Sequence, residues 1–196
     1  MQENYYEERV IKDQKFQSIT KEQSKFIDCT FENCSFEDCA ITGCVFVNCT
    51  FYKCNIISLT SKHSEVKNAI FQQCNLIGLH CWNELMPAGA YAHAIEKLEG
   101  CYLKYNSFVE IPFRKFDFSG NTIQESAFEE CDLQESNFRN CRLEATQFFR
   151  CDIRKADFRE AKGYVIDIPS NKLRKAKFSY PEVTSLLASL EIEIDT

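Results

Sequence analysis

The sequence predicts an all-β solenoid, a β-helix whose coils have four short sides. Two observations predict it. Cysteine recurs at every fifth position from Cys29 to Cys54, and a large apolar residue follows each of these cysteines two positions later. The large series runs Phe26, Phe31, Phe36, Ile41, Phe46, Phe51 and Ile56, then Val66, Phe71 and Leu76.

A period of five suits neither ordinary element. In an α-helix, residues five apart are rotated by about 140°, so the series forms no face. In a flat strand an odd period sends successive side chains to opposite sides. A chain that turns a corner every five residues returns both slots to one interior. The residues between the slots then face out, and they are mostly Glu, Asp, Asn, Lys, Thr and Ser.

After an interruption the pattern resumes two residues out of phase at Leu98 or Leu103. It continues through Phe108, Phe113, Phe118, Ile123, Phe128, Leu133, Phe138, Leu143, Phe148, Ile153 and Phe158. Of 17 Phe, 15 sit on the large series, and 11 of 12 Cys sit two residues before it, so this repeat overrides local propensity. Four sides of five make a coil of 20 residues, and residues 20 apart should stack. Phe118, Phe138 and Phe158 form one expected column, and Phe108, Phe128 and Phe148 a second. Leu103, Ile123 and Leu143 form a third, and Phe113, Leu133 and Ile153 the fourth.

The small slot takes Cys, Ser, Ala, Thr or Asn. Buried free Cys behaves as a small hydrophobe, and that reading is preferred here. Zinc would need a tetrahedral set, which equal repeats with Phe between them do not provide. Disulfides between stacked pairs such as Cys34 and Cys54 are disfavoured because their Cβ vectors run parallel. Unpaired thiols suit a reducing cytoplasm. His80, Cys81 and His93 offer no fourth ligand, so no metal and no cofactor is expected.

The net charge is −6, and no apolar run approaches a membrane span. No basic face for nucleic acid is evident beyond the short Lys172 to Lys177 patch. The chain carries no G-x-S-x-G, P-loop, H-E-x-x-H or dinucleotide fingerprint, and an enzyme is not expected.

Residues 1–180 are therefore expected to form the β-helix, interrupted at about 77–97, and 181–196 a terminal helix and strand. From Leu76 to Leu98 is 22 residues, which reads as one full coil plus two extra. The interruption holds Trp82, Glu84, Leu85 and Met86, either as a tolerated irregularity or as a projecting functional loop. In the tail, Ser179 and Glu182 fit a capping box with Pro181 in the first turn. Val183, Leu186, Leu187 and Leu190 then fall on one helical stripe. Ile192 and Ile194 alternate in a short strand. This segment either caps its own solenoid or also packs on a symmetric copy.

The repeat over residues 24–78 and 96–160, small-x-large-x-x, resembles the pentapeptide repeat family. That resemblance implies a right-handed quadrilateral β-helix. The ending "GYVIDIPSNKLRKAKFSYPEVTSLLASLEIEI" is similar to the Qnr-type branch, in which a terminal helix pairs two rods. It implies a homodimer, with Val183, Leu186, Leu187, Leu190, Ile192 and Ile194 at its interface. It also implies binding to DNA gyrase or topoisomerase IV by DNA mimicry, protecting the enzyme from quinolones or peptide toxins. The outward acids that could imitate a duplex are Asp117, Asp132, Asp152 and Asp157, each before a large core residue, with Glu125, Glu129, Glu130 and Glu135. Arg139, Arg142, Arg150, Arg154 and Arg159 dilute that field. The alternative is a scaffolding repeat protein that binds another partner through a flat face.

Overall fold

The computed structural model describes residues 4–86, 94–190 and 192. The chain divides into two compact units, Met1–Asn106 and Ser107–Thr196. Each is a parallel, four-sided β-helix, the fold class that the five-residue repeat predicts.

In the first unit all four sides are strands. Tyr5–Glu7, Lys25–Ile27, Val45–Val47 and Glu65–Lys67 pair down one side. Val10–Lys12, Thr30–Glu32, Thr50–Tyr52, Ala69–Gln72 and Ile95–Glu99 pair down the next. The third holds Lys15–Gln17, Ser35–Glu37, Asn55–Ile57, Asn75–Ile77 and Tyr102–Lys104. Thr20–Glu22, Ala40–Thr42 and Thr60–Lys62 complete the square. The coils begin well before residue 24: Tyr6, Ile11 and Phe16 already occupy the large slot. Lys21 occupies it too, and its charge conceals the phase in the sequence.

The corners explain the clock. The residue two after each large one has positive φ, as at Asp28 (51°), Asn33 (55°) and Asn48 (53°). Asn and Asp tolerate this left-handed conformation best among residues with a side chain. Their amides also tie successive coils together. Asn48 Nδ2 donates to Asp28 Oδ1 at 2.9 Å, and Asn68 Nδ2 to Asn48 Oδ1 at 3.0 Å.

The second unit is built differently on two of its sides. Ser107–Val109 pairs with Ala127–Glu129, which pairs with the end of Arg142–Phe149, and Thr122–Gln124 meets its start. The other two sides carry only single parallel bridges, Pro112 to Asp132 to Asp152 to Lys172, and Asp117 to Asn137 to Asp157 to Lys177. There the chain tightens into turns: the amides of Ser136, Cys141 and Ala156 reach back to the carbonyls of Leu133, Phe138 and Ile153. The expected columns of this half hold. Phe118, Phe138 and Phe158 stack at 4.6 and 4.7 Å, and Phe108, Phe128 and Phe148 at 4.7 and 5.0 Å.

The interruption differs from expectation. Leu98 stacks on Phe71, not on Leu76, and Leu103 stacks on Leu76. That coil spans 27 residues rather than 20, so the excess is seven residues and not two. Counting phase modulo five conceals the difference, because a coil lengthened by seven and one lengthened by two restore the same slot.

A second irregularity lies at Lys162–Ile166. Lys162 still pairs with Arg142, but Tyr164 pairs with Thr146 and Ile166 with Phe148, so the chain cuts this corner. Gly163 (φ 77°) permits it: a Cβ there would lie 2.7 Å from the Glu144 Cα.

Candidate protein-binding surfaces

The eight candidate acids all lie in the second unit, and the structure neutralises half of them directly. Arg154 bonds Asp152 at 2.6 Å, and Arg159 bonds Asp157 at 2.6 Å. Arg150 meets Glu130 at 3.1 Å, while Lys155 and Arg114 approach Glu135 at 3.4 and 3.6 Å. These pairs follow from the architecture. Residues 20 apart, or two apart on one side, lie side by side, so a basic residue in the next coil meets the acid below it. The Arg154 and Arg159 hydrogen bonds hold the Asp152 and Asp157 carboxyls below the usual carboxylate range. Asp117 accepts from Asn137 Nδ2 at 2.9 Å, and Asp132 from the Gln134 amide at 3.1 Å. Glu125 is exposed and Glu129 half-buried. Over residues 107–190 there are 13 Asp and Glu against 13 Lys and Arg, so this face carries no net charge.

The acids gather elsewhere. Residues 4–38 hold eight Asp and Glu against five Lys and Arg, and residues 39–64 hold none. Glu8 and Asp28 share one corner column of these first coils.

Trp82 and Leu85, open in the sequence to either a tolerated irregularity or a projecting loop, turn inward. Both are buried, and the Trp82 ring meets Phe71 edge-on at 6.1 Å. Its Nε1 donates to Asn106 Oδ1 at 3.1 Å. The reason is the coil itself: residues 82–85 form a turn whose last carbonyl accepts the Val66 amide, taking the place of a strand on the first side. Glu84 is exposed and Met86 half-buried, so two of the four loop candidates face outward at all.

The terminal helix, Glu182–Leu190, is a 3-10 helix rather than the expected α-helix. No capping box forms. The Ser179 hydroxyl accepts the Glu160 amide at 3.2 Å, and the Glu182 carboxylate accepts the Gly163 amide at 2.6 Å. At three residues per turn, positions i and i+3 eclipse, and this divides the expected stripe into two rows. Val183, Leu186 and Ser189 face their own unit: Leu186 is buried, and Ser189 Oγ accepts the Ile168 amide at 3.1 Å. Leu187 and Leu190 form the next row and are exposed, as is Ile192. Leu186 is therefore spent on its own chain and Val183 half so. Ile194 and most of the expected strand lie outside the described residues.

Residues 96–183 match a family model described as a pentapeptide repeat region. Residues 96–183 are a pentapeptide repeat region. Among solved structures the chain is similar to full-length QnrB1, a plasmid-mediated fluoroquinolone resistance protein. The two are 16% identical with a TM-score of 0.38, over 93% of this chain and 100% of that one. A trypsin-treated form of QnrB1 gives 16% and 0.39, over 98% and 99%. HetL, a pentapeptide repeat protein involved in heterocyst differentiation regulation in the cyanobacterium Nostoc, gives 10% and 0.25, over 86% and 87%. No curated protein matches the chain.

Along the repeat the small slot does more than fill space. Its polar atom reaches the main-chain carbonyl of a large residue 23 positions earlier. Cys54 Sγ lies 3.3 Å from the Phe31 carbonyl, Cys74 3.2 Å from Phe51, and Cys141 2.9 Å from Phe118. Thr146 Oγ1 donates to the Ile123 carbonyl at 2.7 Å, and Asn171 Nδ2 to Phe148 at 2.8 Å. The signal was present in the sequence as a preference for small residues that can donate, and size alone conceals it. All 12 thiols are buried. Burial pushes Cys49 and Cys81 up to about 11 and Cys141 to about 12. Cys74 is held above the ordinary thiol range by hydrogen bonds with Cys101 and then Cys54, together with burial. Raised thiols are poor nucleophiles and poor metal ligands, whereas the hydrogen bonds with Cys74 bring Cys54 and Cys101 down to about 7.

Proposed function

We propose that this chain forms a protein-binding homodimer that docks on a type II topoisomerase, DNA gyrase or topoisomerase IV, and shields it from quinolones or peptide toxins. The observation that carries the dimer is the outward row of Leu187 and Leu190 on the terminal helix, which its own unit leaves uncovered. The target class rests on the likeness of the ending, residues 163–194, to the Qnr-type branch. Docking by DNA mimicry would use the acid-rich coils at residues 4–38 rather than the neutral second unit, because a duplex presents a charge about every 1.7 Å to its partner. The test is a gyrase supercoiling assay with a fluoroquinolone, with and without the purified protein. Protection should move the drug's inhibition curve to higher concentration. A curve that does not move, with supercoiling never inhibited at micromolar protein, removes the topoisomerase reading.

A second reading is favoured by the ion pairs of Asp152, Asp157, Glu130 and Glu135. A face whose acids are matched by bases imitates no nucleic acid and suits a scaffold for another protein. Under this reading the outward row still forms the dimer, while gyrase is left untouched.

A further inference from the structure

The two units pack their interiors differently. In the second, the large side chains Phe108, Phe118, Phe128 and Phe138 are wholly inaccessible. In the first, the equivalent Ile41 and Val66 each retain 8% exposure and Phe26 and Phe51 7%, although they point inward. The cause lies on the fourth side, where the large slot holds Lys21, Ile41 and Ser61 in successive coils. Where the second unit puts Phe, Leu or Ile, Lys21 and Ser61 leave volume unfilled. The result is a cavity of about 580 Å³ along the first unit, reaching from Tyr6 and Lys21 in the first coil to Trp82 and Leu85 in the fourth. At roughly 4.8 Å per coil, three spacings make it about 14 Å long.

Its chemistry is sharply divided. Its walls are mostly Phe, Ile, Leu and Val, and among the described residues the only charged ones lining it are Arg9 and Lys21, both cations and both in the first coil. Lys21 Nζ donates to the Tyr6 hydroxyl at 3.3 Å, which holds the ammonium at this end. A narrow apolar cavity is destabilising when empty and takes apolar guests. Ligand sites of this volume range pair an apolar lining with a few polar groups that orient the guest.

We propose that the first unit binds a straight-chain fatty acid of medium length, dodecanoate rather than stearate, with its tail along the coil axis and its carboxylate on Lys21 and Arg9. A carboxylate is the anion that two cations in the first coil of an apolar cavity select, and an extended chain is the shape that a cavity running along the coil axis admits.

Trp82 is the sole tryptophan and lies at the inner end, so its fluorescence reports the guest's orientation. The full chain would be titrated with two dodecanoates, one brominated at its methyl end and the other next to its carboxylate. Saturable quenching of Trp82, several-fold stronger with the methyl-end label, is the expected result. In Arg9→Gln/Lys21→Gln the affinity should fall about tenfold, equivalent to roughly 1.4 kcal/mol. Both positions lie at the mouth, so the fold should be retained. Dodecanol, which lacks the charge, should bind the wild type more weakly than dodecanoate does, and should bind wild type and variant equally. Absence of saturable quenching, stronger quenching from the carboxylate-end label, or equal affinity in wild type and variant would each overturn the proposal.

Discussion

The Glu182 carboxylate accepts the Gly163 amide at 2.6 Å and so fastens the terminal helix over the corner that the chain cuts at Lys162–Ile166. A residue that in isolation looks like half of a capping box serves a tertiary contact instead. Its hydrogen bond is charge-assisted, a class that contributes about 1.5–3 kcal/mol. In Glu182→Ala the helix should loosen while the coils stay folded. Amide exchange at Gly163 should then accelerate by roughly tenfold or more. Unchanged protection would mean that the helix is held by its apolar row alone.

The inward slots make a graded series. Cys34→Ala removes a weak S–H donor and should cost about 1 kcal/mol or less. Thr146→Ala takes the hydroxyl from the Ile123 carbonyl in a fully buried site and should cost about 1–3 kcal/mol. Phe138→Ala opens a void between Phe118 and Phe158 and should cost about 3–5 kcal/mol. Urea titrations of the three variants give the order. Equal losses for Cys34→Ala and Phe138→Ala would show that the slots are misassigned.

Leu187 and Leu186 are neighbours in sequence with opposite fates. Leu187→Asp places a charge on the outward row and should convert a dimer of about 46 kDa into a folded monomer of 22.8 kDa. Leu186→Asp buries the charge on its own chain and should release the terminal helix as well. Sedimentation equilibrium separates the cases, and a wild type that sediments as a monomer removes the outward row from any self-association.

Asp152 and Asp157 give the second unit a defined acid sensitivity. Their hydrogen bonds with Arg154 and Arg159 lower both carboxyl pKa values on folding. A lowered folded pKa means stability that is complete above the unfolded value, near pH 4 for Asp, and lost as the pH falls through the folded one. The urea midpoint should therefore decline more steeply below about pH 4 in the wild type than in Asp152→Asn/Asp157→Asn. Parallel declines would show that the pairs contribute nothing to folding. Because both Arg side chains are largely solvated, the difference should also shrink in high salt.

The sequence by itself determined the coil. Phe26, Phe31, Phe36 and their partners two positions after a small residue allow one geometry only, since no helix or flat strand returns a five-residue period to a single interior. Strand spacing and side-chain volume are local properties, and they repeat identically wherever the pattern does. Tertiary structure alone decided what breaks the pattern. The 27-residue coil, the inward turn of Trp82 and the bond from Glu182 to Gly163 each depend on which residues lie in the coil next door. The same holds for charge: Glu130 and Glu135 read as exposed acids, but Arg150 and Lys155 in the next coil lie against them. The terminal stripe shows the limit most plainly. Its apolar residues were legible, whereas contact with Lys162–Ile166 decided which of them faces in, with Leu186 buried and Leu187 exposed.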